Sequence, residues 1–210
     1  MSVKLGSTAI KGIYLGANEI KKMYLGSNLV YQKSGYVDTE FTSCPFPTNW
    51  TEVTAGTKYN ATNDYGEWNI WTTGNYSGST ASIDKAFDRN DTTLYASVEH
   101  DDKSTPYEIG IDLPINCLIN PSSIYIKLSR AGSMINSYYT KVRGYNPSTE
   151  SWEKLGEFPG VTSATEKNLV VSQAIFYSKF KLVMYRASSN YNKNYVYEFQ
   201  ITSGTLRKES

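Results

Sequence analysis

The sequence predicts an all-β protein in two parts, a small antiparallel meander followed by a β-sandwich or barrel. Two observations support this. A ten-residue repeat opens the chain, and short runs of alternating apolar and polar residues, separated by Gly, Pro, Asn and Ser, fill most of the rest. Beyond Trp50 there is almost no helical periodicity. The length of 210 residues suits one ordinary domain with an appendage.

The repeat is the first element to justify. Leu5–Tyr14 reads LGSTAIKGIY, Leu15–Tyr24 reads LGANEIKKMY, and Leu25–Tyr31 reads LGSNLVY. A glycine recurs in phase and places a turn in each repeat, while the β-branched and aromatic residues between the turns read as short strands. So short a segment cannot bury a core of its own, which favours a docking or oligomerisation element over residues 1–33. The alternative is a hairpin packed on this chain's own domain.

Runs of this form resemble the N-terminal starts of many virion proteins of tailed bacteriophages, where they precede a separate receptor-binding or decoration module. The resemblance covers about the first seventh of the chain. It implies that residues 1–33 contact other virion proteins and that the chain forms a homo-oligomer, for which a trimer is one arrangement. It also implies assembly in the cytoplasm of a bacterial host and a final location in the virion.

The remaining layout follows from turn residues and alternation. We expect a linker over residues 34–49, rich in Thr and Pro, a main domain over 50–203 and a polar tail over 204–210 that frays. One helical turn is predicted, from Ser82 to Phe87. The predicted strands of the main domain are Glu67–Thr72, Tyr107–Leu113, Ser123–Leu128, Thr140–Tyr145, Trp152–Phe158, Lys167–Val171, Phe180–Arg186 and Tyr195–Ser203.

Composition narrows the class of function. The net charge is +1 and acidic and basic residues are interspersed, so nucleic acid is not an expected partner. With one histidine, and without a Gly-x-Ser-x-Gly, phosphate-loop or dinucleotide motif, the chain reads as a binding protein and not an enzyme. Composition leaves a paired-carboxylate glycosidase open, although most acids lie in charged turns. The 18 Tyr and 4 Trp suit either a recognition surface or an all-β core.

The cysteines and the hydropathy of the chain indicate the cellular compartment in which it folds. Cys44 and Cys117 have apolar or turn neighbours and read as free, partly buried thiols, which fits a reducing cytoplasm. The sequence shows neither a secretory start nor an apolar run long enough to cross a bilayer. We therefore expect no membrane insertion.

The stretch Ala81–Ser97, ASIDKAFDRNDTTLYAS, carries most of the remaining signal. A helical turn ends at Phe87, a tight acidic loop follows, and Tyr95 starts the next strand. Oxygen-bearing side chains at alternating loop positions suit Ca²⁺. Asp and Asn also stabilise turns by bonding their own backbone, so the loop has a metal-free reading as well.

This stretch resembles the discoidin, or coagulation factor 5/8 type C, family, which includes galactose-binding-like carbohydrate-binding modules. The family pattern of Ala-Phe-Asp, turn residues, Thr, an aromatic and Ser is matched by Ala86, Phe87, Asp88, Thr93, Tyr95 and Ser97. Later landmarks occur in the family's order, at Tyr107–Leu113, Arg130, Val142–Trp152 and Tyr197–Ile201. Arg89 stands where a glycine is usual, Tyr95 where a Trp is usual, and the cysteine pair of many extracellular members is missing. The resemblance implies a jelly-roll β-sandwich over Trp50 to Ser203.

The resemblance also implies a structural Ca²⁺ held by the acidic loop and the closing strand. Carried over residue by residue, the ligand set is Asp88, Asn90, Asp91, Thr93 and Glu198. In the competing interpretation Glu198 caps a buried turn without metal.

Sugar recognition needs aromatic faces that stack on a sugar ring and planar polar groups that bond its hydroxyls. In the resembling fold these groups come from loops at one end of the sandwich. The candidate ligand-binding residues are Trp71, Tyr76, His100, Arg130, Tyr138, Arg143, Tyr191, Asn192 and Tyr195, with Trp68 also considered. Each has a plainer interpretation: the 190–195 tract as a solvated hairpin tip, His100 as a turn residue, and the two arginines in cross-strand salt bridges. Trp152 is expected in the core.

Together these patterns predict a bacteriophage virion protein that docks through its N-terminal repeat. Its jelly roll would bind a glycan on the bacterial surface during host attachment. The main alternative is a capsid decoration, tail or baseplate protein whose jelly roll contacts proteins alone. A third interpretation is a bacterial accessory carbohydrate-binding protein.

Overall fold

The structure is a computed structural model of the 210-residue chain. It describes residues 35–74, 82–97, 106–129, 139–161, 163–185 and 193–209, and, within the first 34 residues, the backbone of six short strands. The chain divides into two compact units. One comprises Met1–Val37 with Glu209–Ser210, and the other comprises Asp38–Lys208.

The N-terminal unit consists of three successive antiparallel hairpins. β1 (Lys4–Leu5) pairs with β2 (Thr8–Ala9), β3 (Tyr14–Leu15) with β4 (Asn18–Glu19), and β5 (Lys22–Leu25) with β6 (Asn28–Gln32). One hairpin forms per repeat, and the repeat's Leu-Gly step falls where each first strand ends. The ten-residue period of the sequence is therefore the period of the structure.

The second unit is the predicted jelly-roll β-sandwich, with antiparallel strands in two sheets. A short 3₁₀ helix, Ile83–Ala86, matches the predicted helical turn. The strands are β7 (Tyr36–Phe41), β8 (Thr51–Thr54), β9 (Lys58–Asn63), β10 (Gly66–Thr72), β11 (Tyr95–Ala96), β12 (Tyr107–Asp112), β13 (Cys117–Ser129), β14 (Thr140–Asn146), β15 (Ser151–Phe158), β16 (Thr165–Val170), β17 (Lys179–Met184) and β18 (Tyr195–Glu209). The larger sheet has the order β15-β14-β17-β12-β10-β9-β8, the smaller β11-β18-β13-β16, and β7 pairs with β18.

The core lies between the two sheets and follows from strand alternation. In β17, Phe180 and Leu182 point inward and are fully buried, while Lys179 and Lys181 point outward. Each such fully buried apolar side chain contributes about 1.5–3 kcal/mol relative to exposure. Trp68, considered above as a ligand contact, is fully buried and belongs to this core.

The residues after the 3₁₀ helix close one side of the core. Phe87 is buried, and its ring packs against Phe46, Trp50 and Phe199 at centroid separations of 6.4, 6.2 and 5.8 Å. Trp50 also donates from Nε1 to the carbonyl oxygen of Phe87 at 3.2 Å. The acidic loop that follows Phe87 is thus attached directly to the core.

Two terminal segments differ from the sequence prediction. The predicted linker contains strand β7, and the tail expected to fray is paired strand through Glu209. Arg207 explains why the tail is ordered: its guanidinium makes two 2.7 Å bonds to the Asp38 carboxylate and lies 3.8 Å from the centroid of Phe176. The pairing could not be predicted from the sequence, because the tail is locally polar and its partner Asp38 lies 169 residues away. None of the helical residues described forms a helix long and apolar enough to cross a membrane.

Candidate functional site

Strand register brings the ends of many strands together at one end of the sandwich. In the smaller sheet, Tyr195 is opposite both Ala96 and Ser129. In the larger sheet, Tyr107 is opposite Met184, and the amide of Thr73 donates to the carbonyl of Glu108 at 3.0 Å. We call this the loop end, because the chain segments 75–81, 98–105, 130–138 and 186–192 all join strand ends located there.

Polar contacts join the two sheets at the loop end. The hydroxyl of Tyr95, from the smaller sheet, lies 2.7 Å from Thr72 Oγ1 of the larger sheet and also donates to the carbonyl of Gly74. Ser97 and Asn194 exchange two 2.9 Å bonds. Burial raises the pKa of Tyr95, which keeps its phenol protonated as a donor. Tyr95 therefore joins the two sheets through hydrogen bonds from its buried hydroxyl.

The sequence candidates divide between the loop end and elsewhere. Tyr195 starts β18 at the loop end and is partly exposed. Six candidates lie outside the described residues, all in segments that join strand ends at the loop end: Tyr76, His100, Arg130, Tyr138, Tyr191 and Asn192.

The acidic loop has the turn bonds expected of Asp and Asn. The Asp88 carboxylate accepts from the amide of Asn90 at 2.9 Å and from Thr93 Oγ1 at 2.8 Å. Arg89 adopts a left-handed backbone with φ of 58°, a conformation that glycine adopts without a steric penalty. Its guanidinium donates to the carbonyls of Cys44 and Phe46 and so ties the loop to the core segment.

Glu198 is the unusual member of this site. It is fully buried, and neither carboxylate oxygen has a hydrogen-bond partner in the described part of the chain. The pKa of Glu198 is raised to about 8, chiefly by burial and also by the Asp88 carboxylate, against the opposing effects of the Gln200 side chain and the Arg89 guanidinium. At neutral pH this group must either hold a proton or be neutralised by a cation.

The predicted metal ligands are not equivalent in the structure. Asp91 is directed to Lys127, whose Nζ lies 2.8 Å from its carboxylate. In the described ranges, no three His, Cys, Asp or Glu side chains come close enough to hold a metal on their own. A cation beside Glu198 and Asp88 would therefore also need hydroxyl and carbonyl oxygens, such as those of Thr93 and Asn90. The orphaned, buried carboxylate fits a hard cation of this kind.

Trp71 and Arg143 lie on the outer face of the seven-stranded sheet, and Trp71 directly precedes Thr72 of the loop end. Trp71 donates from Nε1 to Asp112 Oδ1 at 3.0 Å. Arg143 is opposite Lys181 and Lys154 in the register and makes no ion pair with the described residues, so the predicted salt bridge is absent there. Both residues lie in strands that the sequence predicted, Glu67–Thr72 and Thr140–Tyr145, and their role in ligand binding stays a prediction.

Trp152 is also on this outer face, which corrects its expected place in the core. It is partly exposed, and Lys181 Nζ lies 4.5 Å from its ring centroid. The edge of Tyr145 contacts it at a centroid distance of 5.5 Å. The alternation of Lys179 and Lys181 with buried Phe180 was the one sequence signal for a cationic outer face here.

The chain was compared with known proteins. No family model matches it, and no curated protein matches it. Among solved structures, a family 32 carbohydrate-binding module of NanJ from Clostridium perfringens, in complex with galactose, aligns with 14% identity and a TM-score of 0.49, covering 66% of this chain and 93% of that one.

Two further structures align similarly. Chitosan-binding module 2 of a chitosanase/glucanase from Paenibacillus sp. IK-5, in complex with chitotriose, has 16% identity and a TM-score of 0.47, covering 62% of this chain and 92% of that one. The C-terminal domain of a chitobiase from Bacteroides fragilis has 20% identity and a TM-score of 0.48, covering 69% and 97%. At these identities the likeness concerns the fold, and no site residue is transferred from it.

Proposed function

We propose that this chain is a virion structural protein of a tailed bacteriophage that displays a glycan-binding jelly roll for attachment to the bacterial surface. Residues 1–33 would dock it to other virion proteins or join copies of the chain. The role is binding and not catalysis. The proposal combines the N-terminal repeat, the fold of the second unit and the convergence of strand ends at the loop end.

The repeat supports the docking role through its size. Each of the three hairpins pairs strands of two to five residues. Hairpins this short are marginal in water unless further strands or a partner cover them. A row of such hairpins is expected to gain stability from contact with another chain, as assembly on a particle provides.

The observation that carries the glycan-binding role is the convergence of strand ends at the loop end. The six candidates were chosen for their side-chain chemistry and because the resembling fold carries such groups on loops at one end of the sandwich. The register places strand ends next to their segments at one end of the sandwich. Hydrogen bonds between Tyr95, Thr72 and Gly74 hold that end together. Aromatic and amide groups are the side chains that stack on sugar rings and bond to their hydroxyls. Weak single sites would gain strength from display in many copies.

We also propose a structural Ca²⁺ at Glu198 and Asp88, with Thr93 and Asn90 as further oxygen donors. A bound cation supplies the positive charge that the buried Glu198 carboxylate lacks. Because Asp88, Asn90 and Thr93 belong to the acidic loop and Glu198 belongs to β18, their shared coordination of the ion would hold the loop against β18. The Asp91 carboxylate pairs with Lys127, so in this proposal Asp91 does not coordinate the ion directly.

A glycan array with the full-length chain tests this function. Wild type, Tyr191→Ala and Asn192→Ala are compared with Asn168→Ala, an exposed control on β16 of the other part of the sandwich. Binding by wild type and the control that falls in both loop variants supports the proposal. EDTA should weaken it if Ca²⁺ orders the loop. Silence of the wild type on the array and on host cells would favour the decoration or baseplate alternative.

A further inference from the structure

The outer face of the seven-stranded sheet holds a cavity of about 440 Å³ that the proposed loop-end site does not use. Residues from six strands line it, from β8 to β15. Its walls include two partly exposed indoles, Trp71 and Trp152, together with Asp112 and Lys179. A cavity that crosses so many strands is a groove running across the sheet, and a linear ligand fits that shape better than a compact one.

Trp71 is built as a flat platform. Its register partner Gly110 has no side chain, and a Cβ there would lie 2.4 Å from the Trp71 ring. The indole therefore rests directly on the backbone of β12, while Asp112 holds its Nε1. One ring face is packed and the other faces the groove. An immobilised, partly exposed indole is the surface on which the C–H face of a sugar stacks.

Charge on this outer face follows two adjacent register rows, and the members that line the cavity itself are Lys58, Asn69, Trp71, Asp112, Trp152 and Lys179. One row reads Lys58, Trp71, Gly110, Lys181, Arg143 and Lys154, and the other reads Asn60, Asn69, Asp112, Lys179, Tyr145 and Trp152. Asp112 is the one carboxylate among these positions. The rows thus place cations and indoles side by side on one face of a chain whose net charge is only +1.

Most of these cations are already neutralised. Lys181 pairs with Glu108 at 2.8 Å, Lys179 with Asp112 at 3.3 Å, and Lys154 with Glu157 at 3.0 Å. Lys58 and Arg143 make no ion pair or hydrogen bond with the described residues. They lie four strands apart, which is about 19 Å at about 4.8 Å per strand. An anionic ligand that reaches both must be extended.

We propose that this groove is a second glycan site, which binds an acidic oligosaccharide carrying carboxylates along its length. Trp71 stacks on a sugar ring, and Arg143 and Lys58 bind carboxylates of separate residues, Arg143 through its planar fork. The groove lies on the outer face of the larger sheet and adjoins the loop end at Trp71 and Thr72. Its other end is distant, because Asp112 lies about 17 Å along β12 from Tyr107, at about 3.4 Å per residue. Single-stranded nucleic acid needs a longer run of free cations than this face offers.

Calorimetric titration of the full chain with a galacturonate hexasaccharide tests the proposal. The same hexasaccharide with its carboxyl groups reduced to alcohols is the matched neutral probe. We expect the acidic probe to bind at least about tenfold more tightly, as charge-assisted bonds are stronger than neutral ones. Equal affinity for both probes, or tighter binding of an oligothymidylate, would overturn the assignment.

Variants locate the binding. Trp71→Ala and Arg143→Gln should each weaken the acidic probe about tenfold, whereas Lys167→Gln, a cation on β16 without a recorded ion pair, should leave it unchanged. Gly110→Ala should weaken binding while retaining Trp71 and every charge, since the added methyl lifts the indole. Thermal unfolding confirms that each variant folds. If Arg143→Gln, a surface change, folds and binds normally, the proposal is wrong.

Binding at the loop end and binding in the groove should be lost in different variants. Tyr191→Ala should reduce binding on the glycan array and leave the galacturonate titration unchanged, and Arg143→Gln should do the reverse. Loss of acidic-probe binding in Tyr191→Ala, with Arg143→Gln normal, would move that binding to the loop end and refute a second site.

Discussion

Two carboxylates of the sandwich, Glu198 and Glu153, differ in what surrounds them. Glu153 accepts from Asn146 Nδ2 at 2.8 Å, Tyr177 OH at 3.1 Å and Thr149 Oγ1 at 3.3 Å. Glu198 is fully buried, and both of its oxygens lack such bonds within the described residues. One site is completed by the chain itself, and the other needs a proton or a cation from outside. A carboxylate whose hydrogen bonds are made within the chain, such as Glu153, belongs to a structural cluster. A buried carboxylate without such bonds, such as Glu198, marks a candidate ligand site.

The largest expected effect is a pH dependence that belongs to Glu198. Its pKa is raised from 4.5 to about 8 in the folded chain, so in EDTA the folded state holds a proton that the unfolded state releases. The free energy of unfolding should then be greatest near pH 4.5 and fall by up to about 1.4 kcal/mol per pH unit toward pH 8. Urea unfolding of wild type and Glu198→Gln measures the difference between their pH profiles.

Glu198→Gln removes the titrating proton and should be more stable than wild type at pH 8 in EDTA. Glu153→Gln is the matched control and should retain the wild-type slope. Parallel profiles for wild type and Glu198→Gln would show that the buried carboxyl has an ordinary pKa, and the comparison with Glu153 would lose its basis.

Calcium should act in the opposite direction at the same group. Ca²⁺ favours the ionised carboxylate, so at pH 7.5 a concentration 100 times its dissociation constant should raise the free energy of unfolding by about 2.7 kcal/mol. Glu198→Gln should lose this increase and Glu153→Gln should keep it. Differential scanning calorimetry with and without the ion reads this out. An equal response in both variants would place the cation elsewhere.

The hydrogen-bonded cluster of Glu153, Asn146, Thr149 and Tyr177 should lose stability when the acceptor Glu153 is replaced. Glu153→Gln turns a donor toward Asn146 or Tyr177 and leaves a mismatch, which should cost about 1–3 kcal/mol at pH 7. Tyr177→Phe removes the donor instead and leaves Glu153 with its other partners, so it should cost less. Urea denaturation compares the two, and a stabilised Glu153→Gln would remove the contrast with Glu198.

Much of the fold could be predicted because core-facing alternation is local. The predicted strand Glu67–Thr72 and the observed β10, Gly66–Thr72, differ by one residue. Strands β8 and β9 were missed because TEVT and KYNATN are polar and lie at or next to a sheet edge, where burial leaves little pattern. The acidic loop was predicted from its turn residues, and Glu198 was joined to it through the family resemblance; the metal site itself stays a prediction.

The groove was beyond sequence reasoning for a different reason. Trp71, Asp112 and Trp152 come from three separate strands, and their proximity depends on the register of β10, β12, β17, β14 and β15. Gly110 gives no sequence sign that it supports an indole. Surface sites assembled by register, unlike loops built from consecutive residues, leave no local motif.

The smallest expected effect compares two buried threonines. Thr140 Oγ1 has no hydrogen-bond partner in the described part of the chain, whereas Thr72 Oγ1 bonds with Tyr95 and with Gly74. Thr140→Val removes an unmatched hydroxyl and should change the free energy of unfolding by between zero and about 1 kcal/mol in the stabilising direction. Thr72→Val should cost about 1 kcal/mol, because it leaves the Tyr95 hydroxyl with one partner fewer.

These substitutions share shape, burial and β-branching, so their difference isolates the hydrogen bonds. Chemical denaturation at pH 5 avoids the ionisation of Glu198 and reports both on one scale. Equal costs would mean that packing, and not polar completion, sets the sensitivity of these positions. Opposite signs would extend the contrast between Glu198 and Glu153 to neutral groups, because a hydroxyl without partners then behaves like a carboxylate without partners, on a smaller energy scale.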